Sequence, residues 1–115
     1  MPRNGEGSAV TGVFAYEGEW CDGLMHGRGK LTVRGVSEYV GQFVRGEIEG
    51  EGVKRWYEND VVAKEYRGAF RSGECDGEGE LRTPTERFVG SFRHNRYHGE
   101  GDRYLRAEHR GLLFE

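Results

Sequence analysis

Proline and cysteine are each scarce, with two copies apiece, and each scarcity removes a class of architecture. Two thiols, Cys21 and Cys75, cannot make the disulfide framework that staples a small secreted scaffold, and they suit a reducing compartment. No apolar run approaches the ~20 residues of a membrane span. The stretch before the first repeat lacks a charged-then-apolar pattern, so the expectation is a soluble, intracellular chain. A net charge of −3 offers no basic stripe to displace counterions, which argues against nucleic acid as a partner. Hydrophobic residues reach only 35%, below the ~45–50% of ordinary globular chains, so a thick core is excluded.

What the chain has instead is glycine, 20 of it, spaced regularly among aromatics. Tyr16 is followed by Gly18, Trp20, Gly23, Gly27 and Gly29. Tyr39 is followed at the same offsets by Gly41, Phe43, Gly46, Gly50 and Gly52. Tyr66 leads Gly68, Phe70, Gly73, Gly77 and Gly79. Phe88 leads Gly90, Phe92, Gly99 and Gly101, with Asn95 where the middle glycine stood. Self-similarity of this kind marks a repeat architecture, and 12% aromatic content so placed argues against disorder.

Each copy reads as a β-hairpin. The aromatic, Gly and aromatic at offsets zero, two and four share one face of a strand. Gly23, Gly46 and Gly73 mark the turns. A second strand carries the paired glycines, then larger residues at offsets fifteen and seventeen. These are Leu31 and Val33, Lys54 and Trp56, Leu81 and Thr83, and Arg103 and Leu105. A single sheet has no opposing layer, so it can lay rings over glycine floors. A ring removes ~150–250 Å² from water, which outweighs a glycine's backbone cost of roughly 0.5–1 kcal/mol.

The motif Tyr-x-Gly-x-Trp/Phe-x-x-Gly-x-x-x-Gly-x-Gly resembles the MORN repeat (membrane occupation and recognition nexus) over residues 16 to about 105. The resemblance implies consecutive antiparallel hairpins in one elongated, twisted, single-layer all-β sheet. The expected division is one array, with a partial unit at 1–15, units at 16–38, 39–65, 66–87 and 88–108, and a partial unit at 109–115. "RNGEG" places Gly5 and Gly7 as the paired glycines of a second half-unit, and "HRGLLFE" reads as a degraded first half. The four-residue excess in "YENDVVAKEY" predicts a longer loop or an extended hairpin.

No constellation points to catalysis, a metal or a cofactor. His94 and His98 lack ligand partners at suitable spacing, and His98 shares its turn-proximal offset with His26, Glu49 and Asp76. Cys21 and Cys75 lie two hairpins apart, on the order of 19 Å, too far for a bridge. Carboxylates alternate at Glu47, Glu49 and Glu51 and at Glu74, Asp76, Glu78 and Glu80, a solvated face or a surface for a basic protein.

The resulting expectation is a non-enzymatic scaffold that binds a protein segment and self-associates through its end strands, which template pairing. The contact residues expected are Tyr16, Trp20, Tyr39, Phe43, Trp56, Tyr66, Phe70, Phe88 and Phe92, with Tyr57 next, if an apolar groove stays open along the rings; the same rings serve equally as a structural ladder. The alternative is contact with anionic phospholipid through Lys30, Arg34, Arg55 and Arg82, opposed by the neighbouring acids. The resemblance implies cytoskeletal, ciliary or flagellar, or membrane-associated partners for a cytoplasmic chain. It also leaves open an accessory domain of a larger enzyme, since similar repeats stand beside lipid-kinase and histone-methyltransferase domains.

Overall fold

The computed structural model describes the backbone of residues 4–105 and the side chains of residues 4–97. Nine strands follow one another in space as in sequence, every neighbour antiparallel, in a single open sheet. They are β1 (Gly5–Val10), β2 (Phe14–Cys21), β3 (Leu24–Val33), β4 (Ser37–Val44), β5 (Glu47–Glu58), β6 (Val61–Arg71), β7 (Glu74–Arg82), β8 (Glu86–Arg93) and β9 (Arg96–Leu105). The sheet is elongated, with extents of 53 × 30 × 17 Å. No helix occurs among the described residues.

The hairpin turn within each repeat is two residues long, and both residues take positive φ, as at Arg45 (48°) and Gly46 (86°). This mirror-image turn matches the twist of the flanking strands, which is why glycine recurs there. Asn95 (68°) fills the glycine's place in the fourth unit, the best substitute for a left-handed position. The excess residues of the second unit lengthen β5 and β6, with Asn59 and Asp60 as the turn: an extended hairpin rather than a loop.

The four pairs β2–β3, β4–β5, β6–β7 and β8–β9, one in each repeat, also carry a register shift. Gly41 faces Gly52, while Phe43 faces Ile48, so the second strand spends two extra residues there. Two is an even number, so the side chains beyond the bulge keep their faces. Gly50 opens the bulge at φ 80°, and the Gln42 side chain fills it, its Oε1 accepting from Glu51 N–H at 2.8 Å. Glu19 does the same for Arg28 N–H at 3.1 Å in the first unit.

The tyrosine rings lie over the facing glycine pairs. A Cβ on Gly52 would fall 2.6 Å from Cζ of Tyr39, and one on Gly79 would fall 2.6 Å from Cε1 of Tyr66. Each hydroxyl then donates to the carbonyl facing the bulge: Tyr16 to Glu19 O at 2.7 Å, Tyr39 to Gln42 O at 2.9 Å and Tyr66 to Ala69 O at 3.0 Å. Burial pushes the Tyr39 hydroxyl up to about 12 and raises that of Tyr66 as well.

Successive units are tied at the turns. The N–H of Gly46 donates to Met25 O and that of Gly73 to Ile48 O. The turn-proximal side chains add a second tie: His26 Nδ1 accepts from Arg45 N–H at 3.2 Å, and Glu49 Oε2 from Ser72 N–H at 2.8 Å. This explains the polar preference at that offset.

The glycine floor makes a direct test. Gly52→Ala is expected to lower stability by roughly 1–3 kcal/mol through overpacking against Tyr39. Gly12→Ala, with nothing within 4 Å of the added carbon, is expected to leave stability unchanged. Urea denaturation of the two variants measures the difference.

Candidate functional site

The two faces of the sheet differ in chemistry. On one, the aromatics form an unbroken series of contacts that runs Trp20, Tyr16, Phe43, Tyr39, Phe70, Tyr66, Phe92, Tyr97 and Phe88. Centroids lie 4.9–5.5 Å apart, and all but the Phe88–Tyr97 pair meet edge to face. Each such contact is worth about 0.5–1.5 kcal/mol beyond area burial.

Of the two readings of these rings, an open groove or a structural ladder, the burial of seven of them matches the ladder. Tyr16, Trp20, Tyr39, Phe43, Tyr66, Phe70 and Phe92 are all buried, Tyr66 completely. Every ring lies against the edge of the next, so the units supply for one another the cover that a second layer would give. Those seven side chains hold the sheet together and have little area to offer. Trp56 and Phe88 are half-buried and keep surface for contact.

The opposite face carries the charges. Lys30 reaches Glu38 at 3.0 Å; Arg55 reaches Glu38 at 3.6 Å and Glu65 at 2.8 Å. Arg82 pairs with Glu80 at 2.8 Å, and Arg87 shares the same carboxylate. Tyr57 also faces this side, its hydroxyl on Glu38 at 3.4 Å. Three of the four basic residues expected to meet lipid are thus tied to carboxylates. Arg34 is exposed in the β3–β4 connection. Among the described residues the face alternates in sign and presents no basic row to a negative membrane.

Near the turns, His94 Nδ1 lies 2.9 Å from Glu74, both well exposed. His98 lies outside the described side chains. Cys21 is exposed and Cys75 buried, unbridged, and burial pushes the Cys75 thiol up to about 11, away from thiolate reactivity.

Between units, the ring face is dimpled by sockets built from equivalent positions. One, of about 380 Å³, is lined by Ala9, Phe14, Trp20, Leu24, Met25 and Leu31 among others and is almost wholly apolar. Phe14 is 50% and Leu24 46% exposed, so the socket is accessible. A second, of about 180 Å³, is lined by Lys54, Trp56, Lys64, Cys75, Leu81 and Phe92 among others. Lys54 stands where Ala9 stands in the first, Trp56 where Thr11 stands, Lys64 where Phe14 stands, and Cys75 where Met25 stands. Sequence reasoning passed over Phe14 and Lys64. The signal for the second socket was present: Lys54 occupies the offset that Leu31 and Leu81 fill in the units on either side.

These features define a class before any comparison: an open array of short β-hairpins, each braced by an aromatic over a glycine pair. The profile of the MORN repeat matches residues 16–32, 39–61, 66–85 and 88–105, more than half of the chain. The chain belongs to the MORN-repeat family. Such repeats are in general non-enzymatic modules, known in protein-binding and lipid-binding roles.

The ion-paired face sets an acid response. Lys30, hydrogen-bonded to Glu38, holds that carboxyl below its ordinary value. At Glu80, burial acts upward, but Arg82 and Arg87 outweigh it and the net shift is also downward. Both groups have folded pKa values below their unfolded ones. The stability they contribute is therefore present above the unfolded value of about 4.3 and is lost as pH falls through the folded values. Thermal melts between pH 7 and strong acid are expected to show a shallower pH dependence in the Glu38→Gln, Glu80→Gln double variant than in the parent chain.

Proposed function

We propose that the chain is a non-enzymatic interaction scaffold whose ring face receives an extended segment of a protein partner. The observation that carries the proposal is the apolar socket around Phe14 and Leu24. Its exposed walls leave large apolar side chains in water, whereas Tyr16, Trp20, Tyr39, Phe43, Tyr66, Phe70 and Phe92 are buried. A bulky apolar side chain of the partner fits this socket by size and chemistry. The internally neutralised opposite face favours a protein over an anionic lipid surface. Self-association through the terminal strand β1 belongs to the same proposal, since an outer strand offers its backbone groups to a second chain. Cytoskeletal, ciliary or flagellar assemblies are the proposed setting.

Selection of peptides from a displayed random library against the whole chain tests this. Enriched peptides are expected to share a large apolar residue and to bind with micromolar Kd by calorimetry. Binding is expected to weaken about tenfold in Phe14→Ser and Leu24→Ser, whose exposed positions spare the fold. Peptides that bind both variants as tightly as the parent would overturn the assignment. Sedimentation equilibrium reads the self-association; a monomer at all accessible concentrations would remove that part.

A further inference from the structure

The socket between β5, β6 and β7 is the repeat-equivalent of the apolar one, rebuilt with two cations. Lys54 is half-buried on the ring face, at the offset where its counterparts are leucines. Its ammonium lies 5.1 Å from the centroid of Trp56, and the ammonium of Lys64 lies 4.7 Å from the same centroid. Among the described residues, neither lysine forms an ion pair with a carboxylate. On the opposite face, Lys30, Arg55, Arg82 and Arg87 each reach a carboxylate, whereas these two ammoniums converge on a single tryptophan ring. Burial draws the pKa of Lys54 down; Cys75 acts against that shift and the neighbouring Lys64 with it. A half-buried cation beside a second cation is unfavourable unless something anionic completes the site.

We infer that Lys54, Lys64 and Trp56 form a receptor for an oxyanion, carboxylate or phosphate, borne on a side chain of the bound partner segment. Lysine ammoniums serve as point charges for such groups, and the Trp56 ring covers the apolar part next to the anion. The inference rests on the scaffold reading and adds a second anchor to it. The apolar and cationic sockets lie four strands apart, about 19 Å, which an extended chain spans in about six residues. A segment with a bulky apolar residue at one end of that interval and an acidic or phosphorylated one at the other would seat both.

The receptor can be read without any partner, so its failure is distinct from failure of the scaffold reading. Whole, nitrogen-15-labelled chain is titrated with phenyl phosphate, with benzoate and, as a cationic control, with benzylammonium. The Trp56 indole N–H resonance is followed. The Trp20 indole, buried and donating to Gly7 O at 3.1 Å, is compared between parent and variants before any ligand is added, as the control for folding. Phenyl phosphate or benzoate is expected to shift Trp56 saturably in the millimolar range, and the stronger of the two identifies the oxyanion. Lys54→Leu, which copies the residue of the neighbouring units, and Lys64→Gln are each expected to weaken the response about tenfold with Trp20 unmoved. Equal shifts with benzylammonium, no saturable shift, or an undiminished response in both variants would overturn the inference. Phosphatidylcholine vesicles with and without phosphatidylserine form the last arm. Broadening of Trp56 that needs phosphatidylserine and both lysines would assign the socket to a lipid head group and overturn the assignment to a protein segment.

Discussion

A tyrosine ring over a facing pair of glycines is the contact on which this sheet depends. Gly41 and Gly52, opposite each other on β4 and β5, leave the space that the Tyr39 ring occupies. The ring brings its hydroxyl to the carbonyl at the bulge, so one side chain fills the void and satisfies the polar group that the irregularity leaves behind. The same ring offers an edge or face to Phe43 on one side and Phe70 on the other. Packing, hydrogen bonding and coupling between units therefore converge on one tyrosine in each of the first three repeats. The low apolar content of the chain follows from this economy. A sheet that is its own second layer needs few hydrophobic residues.

How much of this could be read from residues alone depends on whether the cause was periodic. The hairpins, their turns and the glycine floors recur in every unit, so the offsets of Tyr16, Tyr39 and Tyr66 expose them. The bulges do not announce themselves, because an even insertion leaves the alternation of faces intact. Nor do the ties between units: His26 and Glu49 share nothing but a lone pair, and only their common role as acceptors unites them. The burial of the rings was illegible for a further reason. Alternation places Phe43 and Phe70 on one face but does not say that each will meet a tyrosine edge at about 5 Å. The sockets lie between units, and their chemistry comes from departures from the repeat, as at Lys54. Attention to the consensus hides such positions.

The two faces divide labour in a way that bears on recognition. The charged face is paired internally, with Glu38 shared between Lys30 and Arg55 and Glu80 between Arg82 and Arg87. Exposed networks of this kind contribute little net stability, but they leave no strong field to gather an indiscriminate partner. The ring face is largely closed, and its accessible features are local. Discrimination then falls to a few side chains at particular units, which suits an array whose backbone is uniform.

Brace residues such as Trp20 and Phe92 wall the sockets, but the side chains that give each socket its own chemistry stand at other offsets. The brace uses the first aromatic, the second aromatic and the glycine pair; the socket uses the residue two before the first aromatic and those that follow the glycines in the preceding unit. Those offsets tolerate different residues on the same braced hairpin, with Ala9 and Phe14 in one place and Lys54 and Lys64 in another. The distance between sockets is set by hydrogen-bonded strands and not by side chains. The extra length of β5 and β6 extends along the strands, at right angles to that distance, and leaves it unchanged. The array is a ruler whose graduations are made by the backbone and whose marks can be rewritten one unit at a time.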